Sequence, residues 1–118
     1  MKVEIGARLM PAVRIGNGWV SAEPTDTTDR MGKPVWRYAI DADGWDYEGE
    51  DLAGWGNARE MLATLLTFLG AAAEAHDYEL RTGRESDNAD LFPARVMEWA
   101  HQNIDEIAMA AYELEEGA

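Results

Sequence analysis

The stretch from Asn57 to Gly83 constrains the fold of this chain more than any other, because it reads as one long amphipathic helix. Asn57 can accept from the unpaired amides of a first turn, and Glu60, three residues on, can close a capping box. Positions of the buried type then recur at Met61, Leu62, Leu65, Leu66, Phe68, Leu69, Ala72, Ala73, His76 and Leu80, a wide stripe at helical period. Gly83, just beyond the stripe, suits a left-handed C-cap, and Arg81 suits the negative end of the helix dipole. At about 1.5 Å per residue such a helix spans nearly ~40 Å and crosses a whole small domain. It divides a strand-like half from a helical half.

In the first half, Val3, Ile5, Ala7 and Leu9 alternate with Lys2, Glu4, Gly6 and Arg8, the period of a half-buried strand that Met10-Pro11 should interrupt. Val13 and Ile15 resume the pattern. Asn17-Gly18 has the chemistry of a type I′ turn, and Trp19 to Glu23 reads as the return strand. Pro24 to Pro34 is rich in Thr, Asp, Gly and Pro and reads as a loop of about ten residues. Val35 to Asp41 and Trp45 to Gly49 make a second hairpin about Asp43-Gly44. With those two as the loop, Ala42 pairs with Trp45, Asp41 with Asp46, Ile40 with Tyr47, and Ala39 with Glu48. Trp36, Tyr38, Ile40, Ala42, Trp45 and Tyr47 then share an inward face, and Arg37, Asp41, Asp46 and Glu48 share the outward one.

Beyond the long helix, Arg84 to Phe92 forms a polar connection, and Pro93 suits the first turn of a second helix running to about Glu115. Its inner face is Val96, Trp99, Ala100, Ile104, Ile107, Ala108, Ala111 and Leu114. Small residues midway along both helices, Gly70 to Ala73 and Ala108 to Ala111, suit close approach of the axes. The expected architecture is α+β, a single domain over 1–118. An antiparallel sheet of four to five short strands within 1–50 packs on two antiparallel helices, 57–82 and 93–115. The expected core is Val3, Ile5, Val13, Ile15, Tyr38, Ile40, Leu65, Phe68, Leu69, Ala72, Val96, Ala100, Ile104 and Ile107.

Charge narrows the function. The net charge is −13, and it is uneven: residues 1–37 carry six bases and four acids, whereas residues 38–118 carry four bases and nineteen acids. An excess of carboxylates opposes direct binding to nucleic acid, where Lys and Arg supply the affinity, and favours a basic surface on another protein. The chain has no cysteine, so thiolate chemistry and disulfides are excluded. It shows neither a leader pattern nor an apolar run long enough to span a membrane, so a cytoplasmic location and no membrane partner are expected.

The motifs that carry chemistry are few. Asp41 to Glu48 resembles a calcium loop only superficially, since Gly44 falls at the fourth place and Trp45 where a ligand belongs. Gly54-Trp55-Gly56-Asn57 lacks the Lys of a phosphate-cradling loop. Glu98-x-x-His101, with Asp105 one turn on, is half of the motif that di-iron bundles use twice. These three are the metal-ligand candidates of a small metal-assisted enzyme, the alternative reading. No cofactor is otherwise expected. The most distinctive stretch holds Asp41, Asp43, Asp46, Glu48, Glu50 and Asp51, six acids in eleven residues with no base, interleaved with Trp45 and Trp55. That density marks it as the candidate binding surface, with Trp45 or Trp55 as an aromatic anchor. Five tryptophans in so short a chain also suggest a partly exposed apolar patch and a homodimer.

The run Asn88-Ala-Asp-Leu-Phe-Pro, with Glu98-Trp-Ala and Tyr112-Glu-Leu-Glu-Glu, resembles small acidic open reading frames of bacteriophages infecting high-GC, actinobacterial hosts, over residues 85–116. That group has no assigned activity, so the resemblance implies no catalytic residues. It implies a non-enzymatic binder that blocks a host protein, of the DNA-mimic or anti-defence kind. Immunity proteins and antitoxins share the same size and acidity.

Overall fold

The computed structural model describes residues 2–5, 8–42, 44–86 and 92–116. Along them run β1 (Lys2–Ile5), β2 (Arg8–Ile15), β3 (Gly18–Thr28), β4 (Pro34–Ala42), β5 (Trp45–Ala53), α1 (Ala58–Thr82), α2 (Ala94–Gln102) and α3 (Ile104–Glu116). Strands β2 to β5 pair antiparallel in chain order, and β1 pairs antiparallel with β2. The α+β class with an antiparallel sheet therefore holds, and among the described residues no helix precedes β5.

The long helix forms where its caps and stripe place it. Asn57 Oδ1 accepts from the Glu60 amide at 2.9 Å, and Gly83, at φ 70°, closes the other end by donating its amide to the Glu79 carbonyl. Met61, Leu62, Leu65, Leu66, Leu69, Ala72 and Ala73 are buried along one face. Gly70 sits inside α1 without breaking it. One apolar cluster joins all of these but Ala72 to Ile15, Val20, Trp36, Tyr38 and Ile40 of the sheet and to Val96, Trp99, Ala100 and Ile107 of the later helices. Val13 and Ile104 pack against it partly buried. Val3 and Ile5 lie on β1, whose side chains are outside the described residues. Phe68 departs from expectation: it is 46% exposed, because the stripe is wider than the surface that covers it.

The second helix, expected as one piece over 93–115, is two. Pro93 stands outside as the N-cap of α2, and Asn103 ends that helix with φ −118° and ψ 26°. The Asn103 side chain donates to the Trp99 carbonyl at 2.8 Å, a local bond that competes with helix continuation. The β2–β3 turn docks at this break: Trp99 Nε1 donates to Asn17 Oδ1 at 3.3 Å, and the Gly16 amide donates to Glu106 Oε2 at 2.6 Å.

Three strand boundaries also move. The turn is Gly16-Asn17 rather than Asn17-Gly18, since Ile15 pairs with Gly18 and Gly16 takes φ 56°. A positive φ at the first of two central positions is the type II′ pattern, with Gly there. Strand β3 continues through Pro24 to Thr28, so the expected loop of residues 24–34 shrinks to 29–33. Pairing of β2 with β3 ends at Ser21, so Pro24 has only β4 beside it and its missing amide costs no ladder bond on the free side. Asp29 Oδ1 then accepts from the amides of Met31 and Lys33, both at 2.9 Å, and closes the short loop. Pro11 lies within β2, so the interruption expected at Met10-Pro11 does not occur there. Finally, β5 runs on to Ala53.

Candidate functional site

The second hairpin keeps the register its turn chemistry dictates: Ala42 faces Trp45, Asp41 faces Asp46, Ile40 faces Tyr47 and Ala39 faces Glu48. Gly44 takes φ 87°, while Asp43 lies outside the described residues. The inward face is buried as expected at Trp36, Tyr38, Ile40 and Ala42. On the outward face Asp41, Asp46 and Glu48 are exposed. Like charges directly across a strand pair repel, so the Asp41–Asp46 pair is held by the rest of the sheet rather than by its own interaction.

Neighbouring strands complete this face. Trp19 pairs with Asp41 on one side and Arg14 on the other, and the Arg14 guanidinium lies 5.7 Å from the Trp19 ring centre. Arg14, Trp19, Asp41 and Gly44 line a shallow hollow at the hairpin end. Arg37 bonds Glu50 at 3.0 Å and Glu23 at 3.3 Å, and the Glu50 carboxylate holds its guanidinium charged even more firmly than usual. Among the residues whose side chains are described, Asp41, Asp46 and Glu48 have no base within ion-pair distance. The face therefore presents three carboxylates that form no close ion pair among the described side chains, bordered by an aromatic ring.

The remaining candidates part company. Glu50 is bound to Arg37 on this same face. Asp51 lies across the sheet, beside Tyr38 and α1. Trp45 packs edge-on against Trp99, with ring centres 6.0 Å apart, which ties it to the helices. Trp55 is 69% exposed and keeps the availability of an anchor. Trp19 and Arg14 went unread because a turn placed one residue late puts Trp19 out of register with its neighbours.

The metal-ligand candidates do not assemble. Glu98 and His101 belong to α2 and Asp105 to α3, and the break at Asn103 removes the common face that one helix would give them. Asp105 instead borders a groove with Val13 and Met109. Among the described residues no three His, Asp or Glu side chains converge to hold a metal ion. His101 instead joins α2 to α1: its Nε2 lies 3.0 Å from Asp77 Oδ1, and its ring meets His76 edge-on, 5.4 Å between centres.

Asp77 also bonds Arg81 at 2.7 Å, and Arg81 first, then His101, hold its carboxyl below the ordinary value of 3.8. A carboxylate depressed in the folded state adds stability above its unfolded pKa and loses it as pH falls through the folded value. Asp77→Asn should therefore lower the urea midpoint at neutral pH, and the difference from wild type should shrink as pH drops below 3.8. A difference that stays constant down to pH 2 would remove Asp77 from this role.

No family model, curated protein or solved structure matches this chain. Among the described residues no helix is long and apolar enough to cross a membrane.

Proposed function

We propose that this protein is a non-enzymatic acidic module that occupies a basic surface of another protein in the cytoplasm, as a phage-type inhibitor of a host protein would. The observation that carries this reading is the outward sheet face, where Asp41, Asp46 and Glu48 stand exposed and form no close ion pair among the described side chains. Trp55, exposed beyond the end of β5, is the aromatic anchor. An immunity- or antitoxin-like inhibitor uses the same chemistry and differs only in the protein it captures. The helices run antiparallel in this reading, supported by Arg59 at the start of α1 bonding the carbonyls of Glu113 and Leu114 at the end of α3.

The test is capture from a bacterial lysate at low and moderate salt, beside a protein carrying Asp46→Lys and Glu48→Lys. Partners should associate fast and weaken with salt, because screening shortens to about 8 Å at physiological ionic strength. The charge-reversed protein, with an unchanged circular dichroism spectrum, should lose them. If it retains the same partners, or if neither protein captures any, the carboxylates are only a solvated surface.

A further inference from the structure

One acid of the acidic stretch lies on the opposite side of the sheet, beside an irregularity in β5. Tyr38 pairs with Gly49 and Trp36 with Leu52, so a single β4 residue, Arg37, faces two β5 residues, Glu50 and Asp51. Successive strand residues point to opposite faces, and the extra residue brings Leu52 opposite Trp36. Glu50 goes to Arg37 on the outward face, and Asp51 goes to the Tyr38 side. Burial first, then the neighbouring Asp51 carboxylate, keep the Tyr38 phenol protonated well above the usual tyrosine range. The phenol reaches this position because Gly49 has no side chain: a Cβ there would stand 2.5 Å from the phenol oxygen.

Asp51 thereby stands at a cavity of about 540 Å³ between the sheet and α1. Tyr38, Leu52, Leu65, Phe68 and Phe92 form most of its wall. Its size lies within the range of small-molecule sites, about 300 to 1,000 Å³, and its lining is mostly apolar with a few polar groups, as such sites are. Among the described residues lining it, Asp51 is the one that carries a charge. The Thr67 hydroxyl is already engaged by the Ala63 carbonyl at 2.9 Å. Phe68, half out of the core, leaves an apolar ring that an occupant would cover. An anion would meet Asp51 and the field of a chain of net charge −13, and both oppose it. A cation would meet a carboxylate and aromatic faces, the two features that recognise an organic ammonium.

We propose that this cavity binds a small apolar ammonium, its head held by Asp51 and its hydrocarbon body covered by Phe68, Leu65 and Phe92. The aromatic walls favour an aryl-bearing amine over the bare four-carbon tip of a lysine, which would leave much of the cavity unfilled. The site is separate from the outward acidic face and stands or falls independently of it.

The experiment is an amide NMR titration of the full chain with phenethylammonium, 2-phenylethanol, phenylacetate and n-butylammonium. Phenethylammonium should give saturable shifts at Asp51, Leu52 and Phe68 and bind at least about tenfold more tightly than the alcohol. Phenylacetate should not bind, and n-butylammonium should bind more weakly than phenethylammonium. Asp51→Asn should bring the ammonium down to the level of the alcohol, and Phe68→Ala should weaken both. The protein carrying Asp46→Lys and Glu48→Lys should bind as wild type does. Equal affinity for ammonium, alcohol and carboxylate overturns the proposal. So does n-butylammonium matching phenethylammonium, or no saturation by about 10 mM. Should either cavity variant lose its dispersed spectrum, the four ligands on the wild-type chain decide by themselves.

Discussion

Leu69→Ala should lower the free energy of unfolding by about 2–5 kcal/mol, the range for deleting a fully buried leucine whose surroundings cannot collapse. Leu69 is completely buried on the inner face of α1, in the cluster that also holds Ile40 of the sheet and Ile107 of α3. Strands and helices both lean on this site, so relaxation into the void is limited and the cost should fall in the upper part of the range. Urea unfolding followed by circular dichroism measures it. Leu80→Ala, at a position 63% exposed near the end of the same helix, is the control and should change stability by less than about 0.5 kcal/mol. Equal effects at the two positions would mean that α1 does not bury the face described.

Gly16→Val should be comparably damaging, for a different reason. Gly16 has φ 56°, a left-handed conformation that a β-branched residue adopts only under strain of about 1–3 kcal/mol. A Cβ there would also collide with the Asn103 side-chain oxygen, and overpacking of this kind adds about 1–3 kcal/mol more. Movement of the turn would in addition loosen the bond from the Gly16 amide to Glu106. A drop of about 2–5 kcal/mol in unfolding free energy is expected, together with a shift of the Trp99 indole NMR signal from its native position. Gly44→Val gives the comparison, since Gly44 has φ 87° but no neighbour within 4 Å of its Cβ position. It should suffer the strain without the collision, and equal losses would show that Asn103 is not in the way.

The features legible in the sequence were those set by local chemistry. Asn57 and Gly83 bound α1 because their capping bonds involve residues three and four positions away. The Ala39–Glu48 pairing followed from Asp43-Gly44, and with it the outward placement of Asp41, Asp46 and Glu48. What escaped depended on partners far along the chain. Asn103 interrupts an otherwise helical pattern where the β2–β3 turn docks through bonds that span 82 and 90 residues. Gly16-Asn17 and Asn17-Gly18 both carry turn chemistry, and only the pairing of Ile15 with Gly18 decides between them. Glu50 and Asp51 read as two members of one acidic surface because their acidity was weighed by density along the chain, whereas neighbours on a strand point to opposite faces. Trp45 was placed on the inward face and also offered as an anchor, and its contact with Trp99 favours the former.

Among the described residues strand β5 ends the sheet, with β4 its one neighbour, and a nine-residue edge is long enough to template another strand. Its sequence Trp-Asp-Tyr-Glu-Gly-Glu-Asp-Leu-Ala holds four acids and no base. A second copy laid along this edge would bring carboxylates against carboxylates and would meet the kink of the bulge midway. The charge density that suits β5 to a basic surface thus also discourages runaway strand addition, the route by which open sheets polymerise into fibres. Replacing those acids with neutral residues would remove both properties together.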